Sequence, residues 1–146
     1  MTVLFGTVAG NALRAKIESL VTRQRAGKQF VSIGEGDALV TVERLDPAVK
    51  EVAALSGEGR LLVFPIEEVN ELPNGGRGVM AIRLHEKEAM LGIRPADAGV
   101  RIAAIGRGDK RISIEVKPGN LEHYRGARAR TGRVLKPYFK RVEGFE

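Results

Sequence analysis

The sequence predicts an all-β, propeller-like chain: three blades of about four short antiparallel strands each. Three observations predict it. Val3-Leu-Phe-Gly-Thr-Val-Ala-Gly10 is matched by Val52-Ala-Ala-Leu-Ser-Gly-Glu-Gly59 and, more loosely, by Arg101-Ile-Ala-Ala-Ile-Gly-Arg-Gly108, so Gly10, Gly59 and Gly108 stand 49 apart. A tandem period near 50 belongs to propeller-type blades. Apolar residues alternate with charged ones at the two-residue period of a strand, as at Leu13, Ala15 and Ile17 around Arg14 and Lys16. Finally, a Gly-bearing basic loop precedes a short apolar run in every copy. The repeats divide one domain, 1–146, into blades of approximately 1–49, 50–98 and 99–146.

In the first repeat, Val3–Val8 reads as a strand and Ala9-Gly10-Asn11 as its turn. The Leu13–Ile17 stretch follows, its Arg14 and Lys16 face reading equally well as a solvated strand surface. Gln29–Ile33 and Ala38–Leu45 supply the third and fourth strands, and Asp46-Pro47 ends the blade. The second repeat offers Glu51–Leu55, a turn at Ser56–Gly59, and Arg60–Ile66. Pro65 removes a ladder donor there, so that strand lies at an edge or stops. Glu67–Leu72 suits a helical turn, Val79–Leu84 a strand and Met90–Ile93 a short fourth strand.

The third repeat opens at Val100–Ile105, turns at Gly106–Asp109 and alternates through Ile112, Ile114 and Val116. This set falls one place later than Leu13, Ala15 and Ile17. A turn longer by one residue keeps its apolar side inward, whereas a one-residue slip would turn that side out. Pro118-Gly119-Asn120 breaks the pattern. From Tyr124 to Arg141, cations interleave with Gly and aromatics, a pattern that suits a phosphate backbone and also a basic tail.

With 146 residues, 43% of them hydrophobic and 29% charged, the chain supports one ordinary core. It has no apolar run of about 20 residues and no signal-peptide pattern. Absence of Cys excludes disulfides and thiolate metal sites. A soluble cytoplasmic protein is the simplest fit. The net charge is +6 and points to an anionic partner. That charge is uneven: the first third is +1, the middle −2 and the last third +7.

The basic Gly loops are Arg23–Ile33 (R-Q-R-A-G-K-Q-F-V-S-I), Asn74–Ile82 (N-G-G-R-G-V-M-A-I) and Arg125–Leu135 (R-G-A-R-A-R-T-G-R-V-L). Lys28 maps to Arg77, Phe30 to Val79 and Ile33 to Ile82. Amides and a cation at one turn suit phosphate. A single such loop reads as a polar hairpin; three weigh toward binding. Catalytic signatures are missing. There is no GxxxxGK[ST] loop and no nucleophile-elbow serine, and His85 and His123 lack a companion cluster. No metal, cofactor or catalytic residue is assigned to this segment.

These motifs resemble the C-terminal domain of bacterial type IIA topoisomerase A subunits, and the topoisomerase IV A subunit (ParC type) more than the gyrase A subunit. Arg25-Ala-Gly-Lys28 and Gly59–Ile66 look like that family's blade motifs. Gly108–Ile114 with Arg128–Leu135 resembles its last blade. The gyrase glutamine-arginine-glycine box is at best degenerate at Thr22–Gln29, which argues against strong wrapping. The resemblance implies a β-pinwheel whose blades exchange strands and bend double-stranded DNA along a basic rim. It implies a non-catalytic part of an ATP-dependent isomerase that decatenates and relaxes DNA, with ATP and Mg used elsewhere in the holoenzyme. The family's cleaving Tyr lies in another domain, so neither Tyr124 nor Tyr138 takes that role. Implied partners are the remaining A-subunit domains and the ATPase B subunit, in the bacterial cytoplasm at the nucleoid and away from membranes. Family members have five or six blades, so three repeats imply a fragment, an open arc whose exposed terminal edges favour self-association.

On this reading Arg14, Lys16, Arg23, Arg25, Lys28, Arg60, Arg77, Lys110, Arg111, Arg125, Arg128, Arg130, Arg133 and Lys136 contact phosphates. Gly27, Gly76 and Gly126 allow close backbone approach. Specificity is for shape and bend. The −2 middle repeat is the difficulty, because a DNA path should not cross it. Two rivals stand beside this reading: a protein-interaction propeller whose charge serves an acidic partner, and a small enzyme with an unrecognised site.

Overall fold

The apolar alternation folds into three antiparallel hairpins in a computed structural model that describes residues 1–18, 36–73 and 75–146. In the first, β1 (Thr2–Thr7) and β2 (Asn11–Lys16) pair Val3 with Ala15 and Phe5 with Leu13. β3 (Leu39–Leu45) lies on the other side of β1. The second hairpin joins β4 (Glu51–Ser56) to β5 (Arg60–Pro65), which stops at the proline as its missing donor requires. Next come β6 (Val79–Met80), β7 (Met90–Pro95), β8 (Val100–Ile105), β9 (Arg111–Val116), β10 (Arg133–Val134) and β11 (Arg141–Phe145). Short 3-10 turns occupy Ile66–Glu68, Arg107–Asp109 and Pro118–Tyr124.

The sheets do not follow the sequence repeats. Their strand orders are β3-β1-β2-β6, β10-β5-β4-β7 and β11-β8-β9. β6 comes from the second repeat yet pairs with β2 of the first, Val79 opposite Ala12 and Met80 opposite Asn11. β10 comes from the third repeat and pairs with β5 of the second, Arg133 opposite Leu61 and Val134 opposite Arg60. Each donated strand covers an edge that would otherwise expose unpaired backbone groups. Two glycines make the seats fit. A Cβ on Gly78 (φ +82°) would overlap the Ala12 carbonyl, and one on Gly132 (φ +79°) would lie 2.7 Å from the Leu61 carbonyl oxygen.

Blade-to-blade packing explains the unbroken apolar runs. Alternate residues of β4 face opposite neighbours: Val52 and Ala54 pack with Leu4 and Ala12, while Ala53 and Leu55 pack toward Ile102 and Ile114. The middle blade is therefore buried on both faces, and its strands need no polar side.

Several local expectations change. Val79–Leu84 yields a strand of only two residues, because Ala81 leaves β2 to donate its N–H to the Gly10 carbonyl. The Pro118-Gly119-Asn120 break opens a 3-10 turn that buries Leu121 and Tyr124. The third hairpin keeps Ile114 and Val116 inward, but its turn is longer than one extra residue. Bulges fall between Leu55 and Ser56 and, on the partner of Ala103 and Ala104, between Val142 and Gly144. Aligned on them, residues 105–111 stand where the second hairpin has 57–59. Gln29–Ile33 lies outside the described residues.

Candidate nucleic-acid interface

Strand exchange decides where the charge lies. The third repeat is the most basic, and its 125–134 segment runs along the outer edge of the second sheet. Arg125 bridges Val63 in parallel, and the Gly126 N–H donates to the Val63 carbonyl. The chain then loops through Ala127–Arg130 before entering β10. The loop is bonded to β6 and the residues that follow it by three contacts. The Ala129 N–H donates to the Ala81 carbonyl at 3.0 Å and the Arg83 N–H to the Arg130 carbonyl at 2.9 Å. The Arg128 Nη1 donates to the Met80 carbonyl at 2.7 Å. The outer edges of the first and second blades thus form one seam. Arg77 and Arg83 arrive on it from the second repeat, Arg128, Arg130 and Arg133 from the third.

This placement changes which charges line the second sheet's edge. The second repeat is acidic as a stretch of sequence, but the edge of its sheet is built from third-repeat residues. Several of its carboxylates are also paired with neighbouring groups at the surface. Glu51 holds Arg125 in a two-bond ion pair, Glu58 meets His85 Nδ1 at 2.9 Å, and Glu68 accepts the Arg128 N–H.

The sequence candidates divide accordingly. Arg77, Arg130, Arg133 and Lys136 are exposed on or beside the seam, and Arg128 is half-buried within it. Lys16 is exposed at the end of β2, and Lys110 and Arg111 on the third hairpin's turn, apart from the seam. Arg14 is half-buried, with its Nε committed to the Val69 carbonyl at 2.6 Å. Arg125 is exposed but already paired with Glu51. Gly76 sits in the loop before β6 at φ +137°. Arg23, Arg25, Gly27 and Lys28 lie outside the described residues.

One candidate does not fit the role given to it. Arg60 is 6% exposed and pairs with the buried Glu88, and its Nη1 donates to the Thr131 carbonyl at 2.9 Å. A charge so enclosed holds the donated strand in place and does not reach a phosphate. Gly126 is exposed at the start of the loop; its N–H donates to the Val63 carbonyl, and an added Cβ would meet Leu62 Cδ1 at 3.1 Å.

Arg83, which the sequence reading does not single out, also lies exposed on the seam. The signal was present, since it directly follows the apolar run of the second basic loop, but only the fold brings it against Arg130. Among the described residues Glu58, His85 and Glu88 place ligand atoms within 4.8 Å of one another. Glu88 Oε1 is engaged by Arg60 and the His85 N–H, and Oε2 by the Glu58 N–H, so this group serves the buried arginine. Burial pushes the Glu88 carboxyl up. Hydrogen bonds from Ser56, His85 and Glu58 and the Arg60 charge outweigh it and hold the carboxyl below its ordinary value.

Strand-exchanged antiparallel blades stacked side by side define a propeller-like all-β domain. The model of the "DNA gyrase C-terminal domain, beta-propeller" matches residues 2–46 and 50–97, the first two repeats. The chain belongs to this family. It is 32% identical over 143 residues to the A subunit of a DNA topoisomerase 4 from Pseudomonas aeruginosa, covering 92% of this chain and 18% of that protein. Two solved structures share the fold. One, of the C-terminal domain of DNA topoisomerase IV, superposes with a TM-score of 0.77 at 23% identity over 99% of this chain and 45% of the other. The second, of the E. coli ParC C-terminal domain, gives 0.78 at 22% over 97% and 59%. The chain thus spans under a fifth of its Pseudomonas relative. The third repeat, with its longer turn, lies outside the residues matched by the family model.

Proposed function

We propose that this chain is a non-catalytic duplex-DNA-binding and bending domain, the C-terminal part of a topoisomerase IV type A subunit. It guides the geometry of substrate DNA while other parts of the enzyme cut, pass and reseal strands with ATP. Its partners on this reading are double-stranded DNA, the ATPase B subunit, plus the other domains of its own polypeptide, at the bacterial nucleoid.

The observation that carries the reading is the seam. Strand exchange lays third-repeat cations over the acidic second repeat, giving adjoining outer strands a shared basic edge. A row of cations along such an edge binds a duplex through its phosphates and favours sequences that bend at low cost. The test is binding of a duplex fragment at low salt by the 146-residue chain, beside a variant with Arg128, Arg130 and Arg133 replaced by Ala. The reading expects the unaltered chain to bind and bend the duplex, and the variant to bind all sequences more weakly by a similar factor. A chain that ignores duplex DNA but captures an acidic protein would support the rival propeller reading.

A further inference from the structure

Two apolar side chains stand out at equivalent positions of the seam. Met80 is opposite Asn11 and Val134 opposite Arg60, and Asn11 and Arg60 each begin the second strand of their hairpin. Met80 is 47% exposed and Val134 58%. Their successors Ala81 and Leu135 are buried, and each donates its N–H to the glycine carbonyl of the turn beside it, Gly10 and Gly59. The backbone is therefore fixed on the inner side while Met80 and Val134 point away from the core.

A single exposed apolar residue needs no explanation. Two at matching positions, each beside a seam cation, do. Arg128 bonds the carbonyl of Met80 itself, and Arg133 precedes Val134 in β10, projecting from the opposite face of that edge strand. A strand that met only phosphate oxygens would be better served there by hydroxyls or amides.

We propose that Met80 and Val134 make apolar contact with the deoxyribose faces of a bound duplex, adding a salt-independent term to the electrostatic grip. The inference rests on the duplex-binding reading and names the chemistry at its seam. The surrounding cations favour this occupant: they engage phosphates on either side while the apolar tips meet the C–H surface of the sugars between them.

The test compares duplex affinity across a salt series for the unaltered 146-residue chain, the pair Met80→Ser with Val134→Ser, and the conservative pair Met80→Leu with Val134→Ile. The serine pair should bind about tenfold more weakly at every salt concentration, as expected for losing a few methylene groups of burial. Its log–log salt slope should be unchanged, and the conservative pair should bind like the unaltered chain. Unchanged affinity for the serine pair, or a loss matched by a changed slope, would overturn the inference while leaving duplex binding intact. A serine pair that loses binding to anionic lipid vesicles and keeps full duplex affinity would also overturn it. Failure of the unaltered chain to bind duplex would instead remove the underlying reading.

Discussion

Arg60 and Glu88 form an ion pair enclosed between the second hairpin and the 85–88 turn, their side chains 7% and 1% exposed. Arg60 also donates to the Thr131 carbonyl, so the pair anchors the strand that the third repeat donates. Removing one partner of such a pair leaves an uncompensated buried charge. Glu88→Ala should therefore lower the free energy of unfolding by about 3–5 kcal/mol, read from urea denaturation. A loss under about 1 kcal/mol would contradict a structural role for the pair.

The same carboxylate gives stability a pH dependence. Burial works against its ionisation, but its hydrogen bonds and Arg60 hold it below the ordinary 4.5. A folded value below the unfolded one adds stability that is full above 4.5 and disappears as pH falls through the folded value. The stability gap between the unaltered chain and Glu88→Gln should therefore be constant near neutrality and narrow in acid. A gap that stays constant down to the acid transition would contradict the assignment.

Strand exchange depends on Gly78 and Gly132. Each has positive φ and lies against the carbonyl of the strand it joins, so an added methyl is strained by both conformation and contact. Gly78→Ala should speed hydrogen exchange of the Ala81 amide, and Gly132→Ala that of the Leu135 amide, each by roughly tenfold or more. Equal protection in the variants would show that the seats tolerate a side chain.

Arg125 and Arg130 should differ although sequence ranks them alike. Arg125 is held by Glu51 through two bonds at 2.8 and 2.9 Å, whereas Arg130 is exposed and its carbonyl fixes Arg83. Arg125→Ala should change duplex affinity less than Arg130→Ala, measured side by side at one salt concentration. The opposite order would place the duplex on the Glu51 side of the edge.

Much of this architecture was legible from residues alone. Alternation at Leu13 and Ala15 fixed the facing of β2, and Pro65 marked the end of β5. The 49-residue period located the first two hairpins because they repeat the same core-facing set. What stayed hidden is non-local. A period cannot say that Val79–Met80 completes its predecessor's sheet, so charge counted by repeat put a −2 barrier where third-repeat arginines in fact lie. Nor could it separate Arg60 from Arg130, since burial beside Glu88 depends on a loop 28 residues downstream. The longer third turn escaped because Gly108 keeps the 49-residue spacing while the strand register around it shifts.

The salt dependence of duplex binding tests the seam most directly. Each phosphate neutralised contributes about 0.9 to the slope of log affinity against log salt. The unaltered chain should show a steep slope, and replacing Arg83, Arg130 and Arg133 together with Ala should lower it by about 2–3 units. A flat isotherm for the unaltered chain, or the same slope in the triple variant, would contradict a duplex held by cations that strand exchange brings together.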